Sequence, residues 1–216
     1  MSPRPRTIDD ADILMAAQRV MQRVGPAHFT LALVGEEAGI SAATLVQRFG
    51  SKRELLRALS ESTAGMGAAI VHELREKYRS PLAVARAFLL CFAEMATSPR
   101  EMANHLAYLQ LDLTDPVMHR NFLALTREQY DLVAQLLEEA VAAGELRALD
   151  APAMSRVLNS LVFGGLLAWS TFREGTARAW LERDLDAVLA PYLMAGSSAK
   201  NAARHQGPAR KRAKRP

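Results

Sequence analysis

Between Thr30 and Glu54 the chain reads TLALVGEEAGISAATLVQRFGSKRE, two short amphipathic segments around a turn of small residues, with a third segment opening just beyond. Leu31, Val34 and Ala38 recur at i, i+3 and i+7, which places them on one face of a helix over about 31–38 with Thr30 as its N-cap. Gly39 suits the left-handed conformation that ends a helix, Ile40 plugs the angle, and Ser41 caps a second helix over about 42–48. In that second helix Leu45 and Phe49 face inward, leaving Ala42, Ala43, Thr44, Gln47 and Arg48 outside. Ser51-Lys52-Arg53-Glu54 is a capping box that opens the next helix. The pattern is that of a helix-turn-helix. Short side chains at the start of the second helix let its N-terminus enter the major groove of DNA, where Thr44 reaches a phosphate or base edge and Gln47 or Arg48 offers donors. Lys52 and Arg53 stand free to meet the phosphate backbone. Taken alone, the pattern leaves open a helix pair that only builds a core.

The surrounding residues narrow this. Ile13-Leu14, Ala16-Ala17, Gly25, Phe29-Thr30, Val34, Ala38-Gly39-Ile40-Ser41, Thr44-Leu45, Phe49 and Ser51-Lys52 followed by Leu55-Leu56 occur in fixed order and spacing. On these residues, positions 8–58 resemble the DNA-binding domain of the tetracycline-repressor (TetR) family, over about a quarter of the chain. One departure stands out. The family usually carries a Tyr followed by x-His before the Phe, residues that help hold phosphates, and this chain has Val46-Gln47-Arg48 there. Val46 removes one donor, Arg48 is the replacement at hand, and the operator does not follow by analogy. Arg4 and Arg6, set among Pro3 and Pro5, are similar to the family's N-terminal arm, which reaches an adjacent minor groove. The candidate DNA-contacting residues are thus Arg4, Arg6, Thr30, Ser41, Ala42, Ala43, Thr44, Gln47, Arg48 and Lys52.

Charge is unevenly placed along the 216 residues. Lys200, Arg204, Arg210, Lys211, Arg212, Lys214 and Arg215 stand in a tail without a single acid; with those seven set aside from the 27 basic residues, 20 face 23 acidic ones. A slightly acidic body therefore precedes a strongly basic segment that lacks the apolar periodicity of a core, and this predicts disorder over 197–216. The tail either adds salt-sensitive phosphate contacts, or it serves only solubility or is dispensable. A single Cys91, no secretory leader before Thr7 and no apolar run near the roughly 20 residues that cross a bilayer point to a soluble, cytoplasmic protein with no membrane partner. The longest apolar run, Leu161 to Trp169, is interrupted by Gly164-Gly165.

Beyond Lys52 the chain reads as helices throughout, with starts marked at Ser80-Pro81, Ser98-Pro99-Arg100-Glu101, Asp115-Pro116, Asp150-Ala151-Pro152 and Thr176. The expected spans are about 7–24, 31–38, 42–48, 52–78, 81–97, 99–111, 116–143, 151–173 and 177–194. The fold class is all-α, about nine helices: an N-terminal three-helix helix-turn-helix domain (1–58), then a helical effector-binding and dimerisation domain (59–196). The order of the later helices also looks like the family's regulatory domain. The helix over 157–172 is apolar nearly all round, and Trp180, Leu181, Leu185, Val188, Leu189 and Tyr192 give its neighbour a matching stripe. This pair forms either a two-fold dimer interface, suited to two half-sites on DNA, or the centre of a monomer.

Met66, Phe88, Phe92, Met95, His105, Tyr108, Phe122 and Trp169 are the candidate walls of a ligand cavity, joined by Cys91, Leu106, Leu109, Leu113 and Leu125, with Asn104, Gln110 or Gln129 as further polar handles. Each apolar residue among them also reads as ordinary core. The resemblance implies a small-molecule effector that shifts the separation of two DNA heads, and the wall composition suggests an apolar or amphipathic one. Catalysis is not expected. The five histidines lack metal-ligand spacing, Cys91 lies in an apolar run, no Gly-rich phosphate loop occurs, and Asp112 and Asp115 flank a helix junction where they act as caps. No cofactor or metal is implied. The expected function is a sequence-specific DNA-binding regulator of transcription, a repressor by resemblance. The alternative is a low-specificity architectural protein that coats DNA through its basic tail.

Overall fold

The computed structural model describes residues 8–95 and 97–195, so Arg4, Arg6 and the basic tail lie outside the described residues. Ten α-helices follow one another: α1 (Asp10–His28), α2 (Leu31–Ala38), α3 (Ala42–Phe49), α4 (Lys52–Glu61), α5 (Met66–Lys77), α6 (Pro81–Cys91), α7 (Pro99–Thr114), α8 (Pro116–Ala142), α9 (Ala151–Phe172) and α10 (Ala177–Leu189). Short 3-10 turns follow α6 and α10, at Phe92–Met95 and Ala190–Tyr192. Among the described residues the only extended pairing is an isolated bridge between Leu146 and Leu193.

Polar side chains cap the helix starts through contacts two or three residues long. Ser80, Ser98, Asp150 and Thr176 each accept the amide of the third residue on, and Asp115 accepts those of Val117 and Met118. Proline at the first turn of α6, α7, α8 and α9 fills a position where no amide is needed.

The number of helices differs from expectation. The single helix expected over 52–78 is two, because Ser62 and Thr63 turn their hydroxyls back onto the carbonyls of Leu59 and Ser60, and Gly65 then takes φ 73°, outside the helical range. At the front, Asp9 caps α1 and Gly25 (φ 69°, ψ 170°) kinks it before Pro26. By length and composition α9, at 22 residues, is apolar enough to cross a bilayer, which a search for one unbroken apolar run misses at Gly164-Gly165. Its Leu158, Val162, Leu166 and Trp169 are buried in the core of this chain.

Two apolar cores organise the fold. The first gathers Ile13, Ala17, Val20, Phe29, Val34, Leu45, Leu55, Leu56 and Leu59 from α1–α4 and also takes in Met118 of α8. The second joins α5, α6, α8, α9 and α10 around Phe88, Leu89, Val133, Leu137, Leu158 and Leu185. Helix α7 runs between them, packed on α1 along one side and on α8 and α9 along the other.

Candidate nucleic-acid interface and internal cavity

The helix-turn-helix is built by its own small residues. Thr30 Oγ1 accepts the Leu33 amide at 3.2 Å, and Gly39 ends α2 at φ 71°, ψ 28°. The Ile40 amide then donates to the Gly35 carbonyl at 2.9 Å. Gly35 itself went unnoticed in the sequence: a Cβ there would lie 2.6 Å from the Ile40 carbonyl oxygen, so the turn folds tightly only over glycine. Ser41 caps α3 by accepting the Thr44 amide at 3.0 Å, and the two hydroxyls share a hydrogen bond of 2.9 Å. Leu45 is fully buried beneath.

What α3 turns outward is Ser41, Ala43, Val46, Gln47 and Arg48, with Ala42 and Thr44 half-buried. Val46, where the resemblance leads one to expect tyrosine, is 48 % exposed. Three cations expected to be free for phosphates have protein partners. Arg48 donates to the Ile8 carbonyl at 2.8 Å and pairs with Asp10 at 3.2 Å, tying α3 to the start of α1. Lys52 donates to the Pro26 carbonyl at 2.9 Å and lies over the Phe29 ring. Arg53 and Arg57 both hold Asp115, at 2.8 and 3.0 Å, from α4 to the start of α8. Sequence spacing gives no hint of these pairings, whose partners lie far along the chain.

Behind this head, α7 forms one wall of a cavity of about 160 Å³. Phe92, Met95, His105, Tyr108 and Phe122 line it, together with Asn104, Leu109, Leu125 and Gln129. Met66, Phe88 and Trp169 do not: Met66 is 41 % exposed, and the other two are spent in the second core, with the Trp169 indole donating to the Gly175 carbonyl. Leu106, Leu113, Gln110 and Cys91 also lie off the wall. Burial pushes the Cys91 thiol up, away from the thiolate form. The sequence reading missed the walls supplied by the head, Gln18, Met21 and Gln22 of α1 and Leu59, Ser60 and Thr63 at the end of α4, and also Phe163 of α9.

The ionisable residues of the cavity wall all lie on α7, where Glu101, His105, Tyr108 and Asp112 fall at i, i+4, i+7 and i+11 on one face. Asp112 was expected to be a cap; it is 7 % exposed, and its side chain makes no hydrogen bond or ion pair among the described residues. Burial pushes its carboxyl up to about 7. The Tyr108 hydroxyl is buried without a hydrogen-bond partner, and its acidity is lowered by burial and by the nearby Asp112. His105 is held toward its neutral form by burial. The i, i+3, i+7 spacing of His105, Tyr108 and Asp112 was the available signal. Among the described residues no group of three His, Cys, Asp or Glu side chains is placed to hold a metal ion.

Residues 13–59 match the sequence profile of the bacterial regulatory proteins of the tetR family. The fold as a whole is similar to a TetR-family transcriptional regulator from Agrobacterium tumefaciens (TM-score 0.67, 22 % identity, 85 % of this chain and 97 % of that one). A second similar structure is FadR of Thermus thermophilus, a TetR-family repressor solved with lauroyl-CoA (TM-score 0.54, 26 % identity, 83 % and 92 % covered). Residues 13–59 are thus a DNA-binding domain of the tetR type. A third similar structure, a putative transcriptional regulator from Saccharomonospora viridis solved with choline, aligns with TM-score 0.68 at 18 % identity over 85 % of this chain and 97 % of that one. No curated protein matches in sequence. With this domain the chain is a DNA-binding regulator of transcription, and the architectural alternative built on the basic tail is not favoured.

Proposed function

We propose that this protein is a homodimeric repressor, acting in the cytoplasm without catalytic activity, whose affinity for its operator changes when a small molecule enters the cavity beside α7. The division is a DNA-binding unit over 1–58, an effector-binding and dimerisation unit over 59–196 and a basic tail over 197–216. The observation that carries the ligand switch is the shared wall: Gln18, Met21 and Gln22 belong to the first helix of the head, and they face the same cavity as Phe122, Gln129 and Phe163 of the larger helical body. A molecule that fills the cavity must contact both, so it has a differential affinity for different placements of the head, which linkage requires of any effector. Thr44 and Gln47 are the base-reading candidates on α3, with Ser41, Ala42 and Ala43 allowing close approach and Thr30 beside the phosphates.

Dimerisation is supported by the outer side of α9. Val157, Leu167 and Phe172 are 50 %, 49 % and 63 % exposed, and a Cβ at Gly164 would meet nothing within 4 Å. Apolar helix faces with such room are usually covered by another helix. The inner stripe of α10, Leu181, Leu185 and Leu189, is already buried against α9, so α9 would carry more of the interface than the sequence suggested.

The test is fluorescence anisotropy on a labelled fragment from immediately upstream of the coding region, against scrambled competitor at roughly physiological salt. The repressor reading expects binding that survives excess competitor. Binding erased equally by scrambled DNA would count against it.

A further inference from the structure

The cavity carries a charge pattern that selects its ligand. Glu101 and Asp112 stand on its wall and no Lys or Arg does. The Glu101 carboxylate is already occupied by the amide and hydroxyl of Thr97, both on Oε2, whereas Asp112 has no partner among the described residues. A phenol hydroxyl buried without a partner, beside a carboxylate only 7 % exposed, is costly unless something completes the pair. His105 does not: its side chain makes no hydrogen bond to either group, and burial disfavours its charged form. A metal ion is a poor candidate, because no third ligand of the usual kind is near. The same cavity is lined by the rings of Phe92, Phe122 and Phe163, a residue type whose π face attracts positive charge. The volume of about 160 Å³ suits a compact molecule, since cavities of about 150 Å³ hold a benzene-sized guest.

Building on the reading of this cavity as the effector site, we propose that the ligand is a compact organic cation, an amine or quaternary ammonium on an apolar body, held by the Asp112 carboxylate and the Tyr108 hydroxyl against the aromatic wall. A carboxylate or phosphate ligand would meet two acids and no counter-charge there. The same face of α7 that carries Asp112 contacts the cation while Asn104, on that helix, holds α1, so charge recognition and the head share one element.

The experiment is calorimetric titration of the full chain with three probes of similar size: benzyltrimethylammonium, the uncharged 2-methyl-1-phenyl-2-propanol and phenylacetate. At about pH 8 the ammonium is expected to bind at least about tenfold more tightly than the alcohol, and Asp112→Asn to shrink that preference to about twofold while leaving alcohol affinity in place. If the variant does not fold, the wild-type pH profile decides: affinity for the ammonium rises from about pH 5.5 to about pH 8 as Asp112 ionises, with Glu101, His105 and Tyr108 the other titratable groups on the wall, and that for the alcohol stays flat. Phenylacetate or the alcohol binding as well as the ammonium, or a preference that survives Asp112→Asn, overturns the cation inference and leaves the effector cavity standing. Failure of all three probes to bind overturns both.

Discussion

The side-chain amide of Asn104 donates to the main-chain carbonyl of Gln22 at 2.8 Å, and the Oδ1 of the same side chain would lie 2.5 Å from a Cβ at Gly25. Helix α7 thus grips α1 at its kink, where φ of 69° with ψ of 170° suits glycine alone. Gly25→Ala is expected to cost about 2–4 kcal/mol, combining backbone strain with the clash. Asn104→Ala should cost about 1 kcal/mol for the lost hydrogen bond. Because the alanine at 104 also vacates the crowded space, the double variant should lose clearly less than the two costs together, as urea unfolding would show. Strict additivity would mean that the two residues do not press on each other.

Asp115 gathers more partners than any other carboxylate described: Arg53, Arg57 and the amides of Val117 and Met118. Hydrogen bonds from Arg53, then Arg57 and the two amides, hold its carboxyl well below the usual range despite the opposing effect of burial. A lowered folded-state value stabilises fully above about pH 4 and the contribution fades as pH falls below it. Asp115→Ala should therefore lower Tm at neutral pH by roughly 2–4 °C, Asp115→Asn by less because it keeps an acceptor for the cap, and the gap to wild type should narrow at about pH 3. A gap independent of pH would assign the loss to packing.

These two sites mark the limit of what the sequence discloses. Caps at Thr30, Ser41, Ser51, Ser80, Ser98, Asp150 and Thr176 were legible because each is a contact between residues three apart. The helix-turn-helix was legible for the same reason, being a sum of local spacings. Arg48, Lys52 and Arg53 looked free only because their partners stand 40, 26 and 62 residues away. Asp112 looked like a cap because it lies three residues before one; tertiary packing of α7 between α1 and α8 decides its burial. Phe88 and Trp169 showed the converse, apolar residues whose periodicity could not say whether they faced a cavity or a core. The break at Gly65 was signalled by Ser62-Thr63-Ala64-Gly65, yet an apolar period on both sides hid it.

On α3, Gln47 is exposed and its side chain has no hydrogen bond among the described residues, whereas Thr44 shares its hydroxyl with Ser41. Gln47→Ala is expected to reduce discrimination between operator and scrambled DNA by roughly 5- to 150-fold, the equivalent of about 1–3 kcal/mol, with little loss of non-specific affinity. Thr44→Ala should weaken both, because it also loosens the start of α3. Deletion of residues 200–216 should lower affinity for all sequences about equally and flatten the salt dependence. Competition anisotropy separates the three, and unchanged preference in Gln47→Ala would place base reading elsewhere on α3.

Leu167 is 49 % exposed on the outer side of α9, one helical turn from Gly164. A charge there should not disturb the core, which α9 forms with its opposite face, but would be buried in a two-fold interface. Leu167→Glu is expected to convert the protein to monomer in sedimentation velocity while its circular dichroism stays helical. Operator binding should then fall by at least about tenfold, since two linked half-sites are replaced by one. A variant that remains dimeric would move the interface off this face.

Asp112 makes stability depend on pH in the opposite sense to Asp115. Burial pushes its carboxyl up to about 7, so between about pH 4 and pH 7 the unfolded chain gives up this proton while the folded chain retains it. The folded state therefore loses stability across that window and the penalty stays constant above it. Asp112→Asn, which keeps the shape without the charge, should match wild type at about pH 4 and exceed it at about pH 8 by on the order of a few kcal/mol. Urea midpoints at the two values check this directly. Saturating benzyltrimethylammonium should narrow the gap at pH 8 by stabilising the wild type more than the variant, since a ligand that binds only the folded state adds its binding free energy to stability. An advantage of the asparagine variant that is equal at both pH values would mean that Asp112 is solvated in the folded protein.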